Sequence, residues 1–106
     1  MDITDIDGSN ISENDYADSM QEFSEELIGL RVYSPKAEYI GKVDEIVFDI
    51  DNKRIDSLIV NNVSLAFAEP KISVAIPYSW IRTVGDIIIL DIFPTKILRD
   101  GTLEGL

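Results

Sequence analysis

The stretch Ile72-Ser73-Val74-Ala75-Ile76-Pro77-Tyr78-Ser79-Trp80-Ile81-Arg82-Thr83-Val84-Gly85-Asp86-Ile87-Ile88-Ile89-Leu90-Asp91-Ile92 decides the fold class. Ile72, Val74 and Ile76 alternate with Ser73 and Ala75, the period-2 pattern of a half-buried strand. Pro77 to Trp80 has room for one helical turn, with proline at its first position, where a missing N–H does no harm. Residues 81–84 and 87–92 flank Gly85-Asp86, which predicts a two-residue hairpin turn with glycine first. The run Ile87-Ile88-Ile89-Leu90 is apolar on both faces. Either it crosses the core where two layers meet, or another subunit covers one face.

Upstream, residues 30–33 form a brief strand closed by Ser34-Pro35. Residues 39–50 follow, with Ile46, Phe48 and Ile50 on one face and Val43 and Val47 on the other. Gly41 within this run signals a bulge or a close backbone approach. Asp51-Asn52-Lys53 is a turn, and residues 54–60 return as the second arm of a hairpin. Residues 61–70 read as a connection ending at Pro70. No segment is long enough for a helical crossover between parallel strands, so the expected fold is all-β. Closing such a sheet hides its edges, which favours a small, six-stranded, mainly antiparallel barrel over residues 27–92, with one short helical turn. Its expected core is Val32, Val43, Ile46, Phe48, Ile59, Val74, Ile76, Ile81, Val84, Ile88 and Leu90. Residues 93–106 form a C-terminal extension without a clear period, placed to cover a barrel end.

The charge is unevenly placed. The chain has 106 residues with a formal charge of −11, and residues 1–26 hold nine of the 20 acidic side chains and no Lys or Arg. Residues 27–106 are nearly balanced, 11 acidic against 9 basic. The acid is therefore a tail on an ordinary domain. This balance argues against nucleic-acid phosphates or an anionic membrane surface as the main partner. No apolar run approaches the roughly 18 residues that would suggest a membrane span. The acidic start is the opposite of a signal peptide's basic one. The absence of Cys and these features together lead us to expect a cytoplasmic protein.

Four pieces of the chain in order, Leu27-Ile28-Gly29-Leu30-Arg31-Val32, Ile40-Gly41-Lys42-Val43-Asp44-Glu45, residues 55–60, and Ile76 through Asp86, resemble the PRC-barrel family. The family's usual pattern is a Gly-x-x-Val strand, an Ile-Gly-x-Val hairpin and a Val-Pro…Ile…Val-Gly-Asp hairpin. The family often carries Asp-x-x-Gly in the first turn, where this chain has Ser34-Pro35-Lys36-Ala37. The resemblance implies a small β-barrel used as an adaptor, as in the photosynthetic reaction-centre H subunit and the C-terminal domain of a ribosome-maturation factor. It resembles most the short stand-alone archaeal members, some of which are linked to cell division by a tubulin-like ring.

Candidate sites are few. With no His and no Cys, imidazole ligands, thiolate sites and His-activated nucleophiles are excluded. Asp5-Ile6-Asp7-Gly8-Ser9-Asn10 begins like a calcium loop, but Asn10 and Tyr16 stand where glycine and a bidentate glutamate are required. Asp49-Ile50-Asp51-Asn52-Lys53 fails sooner, because Lys53 occupies a ligand position, and reads as hairpin-turn chemistry. Asp44 and Glu45 are adjacent on a strand and point to opposite faces, so they do not form an acid/base pair. We therefore expect no catalytic residue, no cofactor and no metal. Within the tail, Ser12 and Asp15 form a weak helix start. Tyr16, Met20, Phe23 and Leu27 then fall on one stripe of a helix over residues 13–27. Such a stripe either folds back onto its own barrel or docks in a partner's groove, unless the segment serves only as a solubilising tail.

The expected function is that of a non-enzymatic protein–protein adaptor, with Tyr16, Met20, Phe23, Leu27, Ile87, Ile88 and Ile89 as its partner interface. The two-sided apolar strand at 87–92 suggests a homodimer, formed by joining strands or stacking barrels. By resemblance, the assembly is the archaeal division ring, with a membrane-anchored ring adaptor or a paralogous PRC-barrel protein as partner. The rival reading is a ribosome-maturation or RNA-processing accessory acting through its barrel. A small enzyme is the remotest alternative.

Overall fold

A computed structural model describes residues 25–106, so the acidic run from Met1 to Ser24 lies outside the described residues. Nine strands follow in the order β1 (Arg31–Tyr33), β2 (Tyr39–Lys42), β3 (Glu45–Asp49), β4 (Arg54–Val60), β5 (Val74–Pro77), β6 (Ile81–Val84), β7 (Ile88–Leu90), β8 (Lys96–Ile97) and β9 (Leu103–Glu104). A single 3₁₀ turn, Tyr78–Trp80, sits between β5 and β6, where Pro77 opens it. The fold is all-β, as the alternation predicts.

Two sheets carry the core. The first has the strand order β2-β1-β7-β6 and the second β3-β4-β5, while β8 and β9 form a separate hairpin. All pairings are antiparallel except β1 with β7. Seven strands, not six, lie between residues 27 and 92, because the run 39–50 breaks at Val43-Asp44 and changes sheets. There Val43 donates its N–H to the Leu30 carbonyl in the first sheet, and Asp44 donates to Ile59 in the second. The chain crosses again through the 3₁₀ turn. The edge strands β2 and β6 thus continue covalently into the edge strands β3 and β5. The sheets are joined at both margins by corners rather than by an unbroken hydrogen-bonded ring.

The inner faces of both sheets meet in one core. Val32, Ile40, Leu58, Val60, Ile76, Ile88 and Leu90 are fully buried, and Val43 nearly so. Burying one such side chain contributes roughly 1.5–3 kcal/mol. Ile46, Phe48, Val74 and Ile81 are half-buried and pack against that core. Two expected core residues differ. Ile59 pairs with Glu45 and Ala75 on the outer face of the second sheet, and is only half-buried. Val84 has inward register opposite Ile88, but ends the edge strand β6 and stays 38% exposed. Conversely, the register shift opposite Val47/Phe48 sets Ile55 against Phe48, which brings Ile55 into the core.

The turns follow their side chains. In the β3–β4 hairpin the Asp49 carboxylate accepts hydrogen bonds from the Asn52 side chain (2.8 Å) and backbone N–H (3.2 Å), with Arg54 beside it. Those bonds, aided by Arg54, hold the Asp49 carboxyl below the usual carboxylate range. The first turn keeps its shape without the family's Asp and Gly. Ser34 Oγ accepts hydrogen bonds from the Lys36 and Glu38 N–H groups, and Ala37 adopts φ 63°, a left-handed conformation that favours glycine. Ala37→Gly should therefore raise stability by about 0.5–1 kcal/mol in chemical denaturation, the strain relieved outweighing the entropy glycine adds to the unfolded chain. The expected two-residue turn at Gly85-Asp86 is instead a three-residue loop, with Val84 paired to Ile88 and Ile87 inside the turn. Gly85 does not adopt the positive φ that a glycine-first turn demands.

The C-terminal extension is part of the packing. Phe93 and Ile97 are buried, and the Phe93 ring meets Phe67 edge-on at 5.3 Å. Ile97 N–H donates to the Phe67 carbonyl (2.6 Å), and Ala68 bridges Ile97. The connection 61–73 is tied down in turn, since Ser64 N–H donates to Ile40 and Val63 N–H to Ile72. Through Phe93 and Ile97 the extension packs against the connection between β4 and β5.

Candidate functional site

Registers across the four-stranded sheet place one row of side chains on its outer face. Tyr39 on β2 pairs with Tyr33 on β1, Tyr33 with Ile89 on β7, and Ile89 with Thr83 on β6. The Tyr33 and Tyr39 rings meet edge-on, 5.7 Å apart. Ile89 and Tyr33 are half-buried, and Tyr39 is 42% exposed. The row therefore presents a wet-edged aromatic and aliphatic strip, the kind of surface that interfaces favour.

The next row is charged. Arg31 on β1 lies directly opposite Lys42 on β2, and the two cations with Tyr33 and Tyr39 line one shallow groove. Like charges set opposite across a strand pair repel. Neither cation makes an ion pair or side-chain hydrogen bond among the described residues, although Arg54, Arg82 and Arg99 each hold a carboxylate. Of the acids near this face in sequence, Asp44 accepts the Asn61 N–H and Asp91 holds Arg82, while Glu38 and Asp86 are exposed and pair with neither cation.

The side chains expected to form the interface are dispersed by the fold. Ile88 is fully buried and Leu27 is 1% exposed, so both belong to the core. Ile87 stands in the β6–β7 loop at 37% exposure, and Ile89 lies in the outer row just described. Tyr16, Met20 and Phe23 lie outside the described residues, as does the calcium-like run Asp5–Asn10. Strand β7 is an inner strand, hydrogen-bonded to β1 and β6 on its two sides, so joining strands through it is not available. Stacking on its outer face is. Asp44 accepts the Asn61 N–H at 2.8 Å while Glu45 is exposed, so the two carboxylates have separate surroundings. No group of three potential metal ligands exists among the described residues.

Sequence reading alone missed Arg31, Lys42, Tyr33 and Tyr39 as a set. Each looks like an unremarkable strand residue, and their juxtaposition depends on the bulge at Ile40 that sets the β1–β2 register. None of the helices among the described residues is long and apolar enough to cross a membrane. A comparison with curated proteins returned no match. The family model of the PRC-barrel domain matches residues 20–97.

Proposed function

The chain belongs to the PRC-barrel family, and from that premise we propose that it works as a non-enzymatic adaptor whose contact face is the outer row Tyr39, Tyr33 and Ile89, with Ile87 at its end. The observation that carries this reading is the continuity of that apolar strip across three strands, β2, β1 and β7, beside two cations that have no counter-charge among the described residues. A complementary partner presents an apolar centre with acidic side chains at one rim. Resemblance to the short archaeal members supports a place in a tubulin-like division ring, where the partner is a ring adaptor or a paralogous barrel. Self-association, in this reading, stacks the same outer faces. The stripe Tyr16, Met20 and Phe23 adds a second, salt-sensitive contact once the barrel is engaged.

Affinity capture from native cells, with the full chain as bait, tests the assignment. A ring adaptor or a second PRC-barrel protein should dominate the eluate, and Ile89→Glu should weaken capture by about 30-fold, the effect of losing a central interface anchor. Light scattering at micromolar concentration should show a dimer mass that the same variant lowers to that of a monomer. Ribosomal proteins in place of division proteins would support the ribosome-maturation reading instead.

A further inference from the structure

On the sheet that the proposed contact face does not use, we infer that the free edge of β3, Glu45–Asp49, is a docking site for an extended segment of a partner protein that alternates basic and apolar side chains. An edge strand presents alternate N–H and C=O groups outward, and folded proteins blunt such edges or cover them. The other edges of the two sheets are managed in these ways. The Ser64 N–H donates to the Ile40 carbonyl of β2. Strand β5 ends on Pro77, which has no N–H to offer, and β6 is bulged at Arg82, whose side chain holds Asp91. Strand β3 has none of these devices. It runs regularly for five residues, since the extra residue in its ladder with β4 is Asp56 on β4. Among the described residues, no backbone group outside β4 hydrogen-bonds to residues 45–49.

The side chains around this edge decide what the segment carries. Ile46 and Phe48 pack against the core but stay half-buried, because an edge strand leaves one flank of each open. Ile50, just past the strand, is 81% exposed. Apolar side chains set opposite Ile46 and Phe48 cover those flanks, while the backbone of the added strand satisfies the edge. The surroundings are acidic. Residues 44–56 hold Asp44, Glu45, Asp49, Asp51 and Asp56 against Lys53 and Arg54, and Arg54 already stands beside Asp49. Glu45 and Asp56 are exposed and in no ion pair among the described residues. Neighbours along a strand face opposite ways, so one segment meets both demands by alternation, with Lys or Arg outward and Val or Ile inward. A second copy of this edge would bring the same carboxylates, and like charges set opposite repel. The occupant is therefore a foreign strand. The site is separate from the row Tyr39, Tyr33 and Ile89, and it stands whichever partner that row takes.

Nitrogen-15 NMR and amide hydrogen exchange on the full chain test it, with a capped synthetic peptide of alternating Lys and Val as the probe. At millimolar peptide the amide resonances of residues 45–49 should shift saturably and their exchange should slow, while those of Tyr33, Tyr39 and Ile89 stay in place. A Glu–Val peptide of equal length should bind at least about tenfold more weakly. The Lys–Val peptide N-methylated at alternate residues, in either of the two registers, should be weakened in the one that removes the edge-facing donors. Glu45→Lys combined with Asp56→Lys should weaken Lys–Val binding about tenfold, whereas Ile89→Glu should leave it unchanged. Thermal melting confirms that each variant is folded, and the peptide comparisons need no variant. No shift at millimolar peptide, equal binding of the Lys–Val and Glu–Val peptides, or shifts confined to the four-stranded sheet would overturn the inference. So would slow exchange of residues 45–49 in the peptide-free chain: dependent on protein concentration, it would put a second copy on the edge, and independent of it, the chain's own backbone.

Discussion

Gly41→Ala should destabilise the protein by about 1–3 kcal/mol, and Gly41→Val by more, measured as a shift of the denaturant midpoint. Gly41 pairs with Val32, so any side chain at 41 points into the space between the sheets. A Cβ there would stand 2.5 Å from Val60 Cγ1 on the opposing sheet. Val60 is fully buried, and a β-branched side chain has little rotamer freedom with which to withdraw. The cost is a property of the pair. Val60→Ala alone should lose about 1–3 kcal/mol through lost burial. The double variant should be more stable than the sum of the two predicts, because the methyl at 41 fills space that Val60 vacated. Simple additivity would show that Gly41 is needed for its backbone and not for its missing side chain.

Phe93→Ala carries the other large expectation, a loss of about 3–5 kcal/mol. Small domains have only about 5–15 kcal/mol in total, so the variant should melt far below the parent. Phe93 is 7% exposed and meets Phe67, which reaches it from the long connection between β4 and β5. Removing the ring opens a cavity between two segments that have no sheet to hold them. Lys96→Ala, on the exposed side of the β8–β9 hairpin, should change stability by less than about 0.5 kcal/mol. Comparing the two variants by calorimetry separates the packing of the extension from its mere presence.

What the sequence made legible was local. The alternation at 72–76 and the hairpin at 51–53 need only nearest neighbours, and both are found. Gly41 was readable as a bulge or a close backbone approach; the extra residue is its neighbour Ile40, and the close approach is that of the Val60 side chain to Gly41. The crossing at Val43-Asp44 was not readable, because a strand that changes sheets keeps its extended backbone and its apolar pattern. What changes is the hydrogen-bond partner, which lies elsewhere in the chain. Phe67, Phe93 and Ile97 escaped for a related reason. Each sits in a segment without period, and each is buried by contact with another such segment. The contact face was hardest to see, since half of the expected interface residues in the described chain, Leu27 and Ile88, turned out to be core.

Among the described residues the one parallel pairing between strands, Val32 with Ile88 and Tyr33 with Ile89, has a consequence for how the chain comes together. The β3–β4–β5 sheet is built from antiparallel neighbours in sequence, the first pair joined by a short turn, so its closure entropy is small. The β1–β7 pair joins the first strand of the described chain to the seventh. Such non-local pairing is the slow kind. During synthesis β1 and β2 emerge before any partner for β1's other side exists, and they must wait until β7 is made. Until then Val32 and the aromatic row are wetted, with an open strand edge beside them.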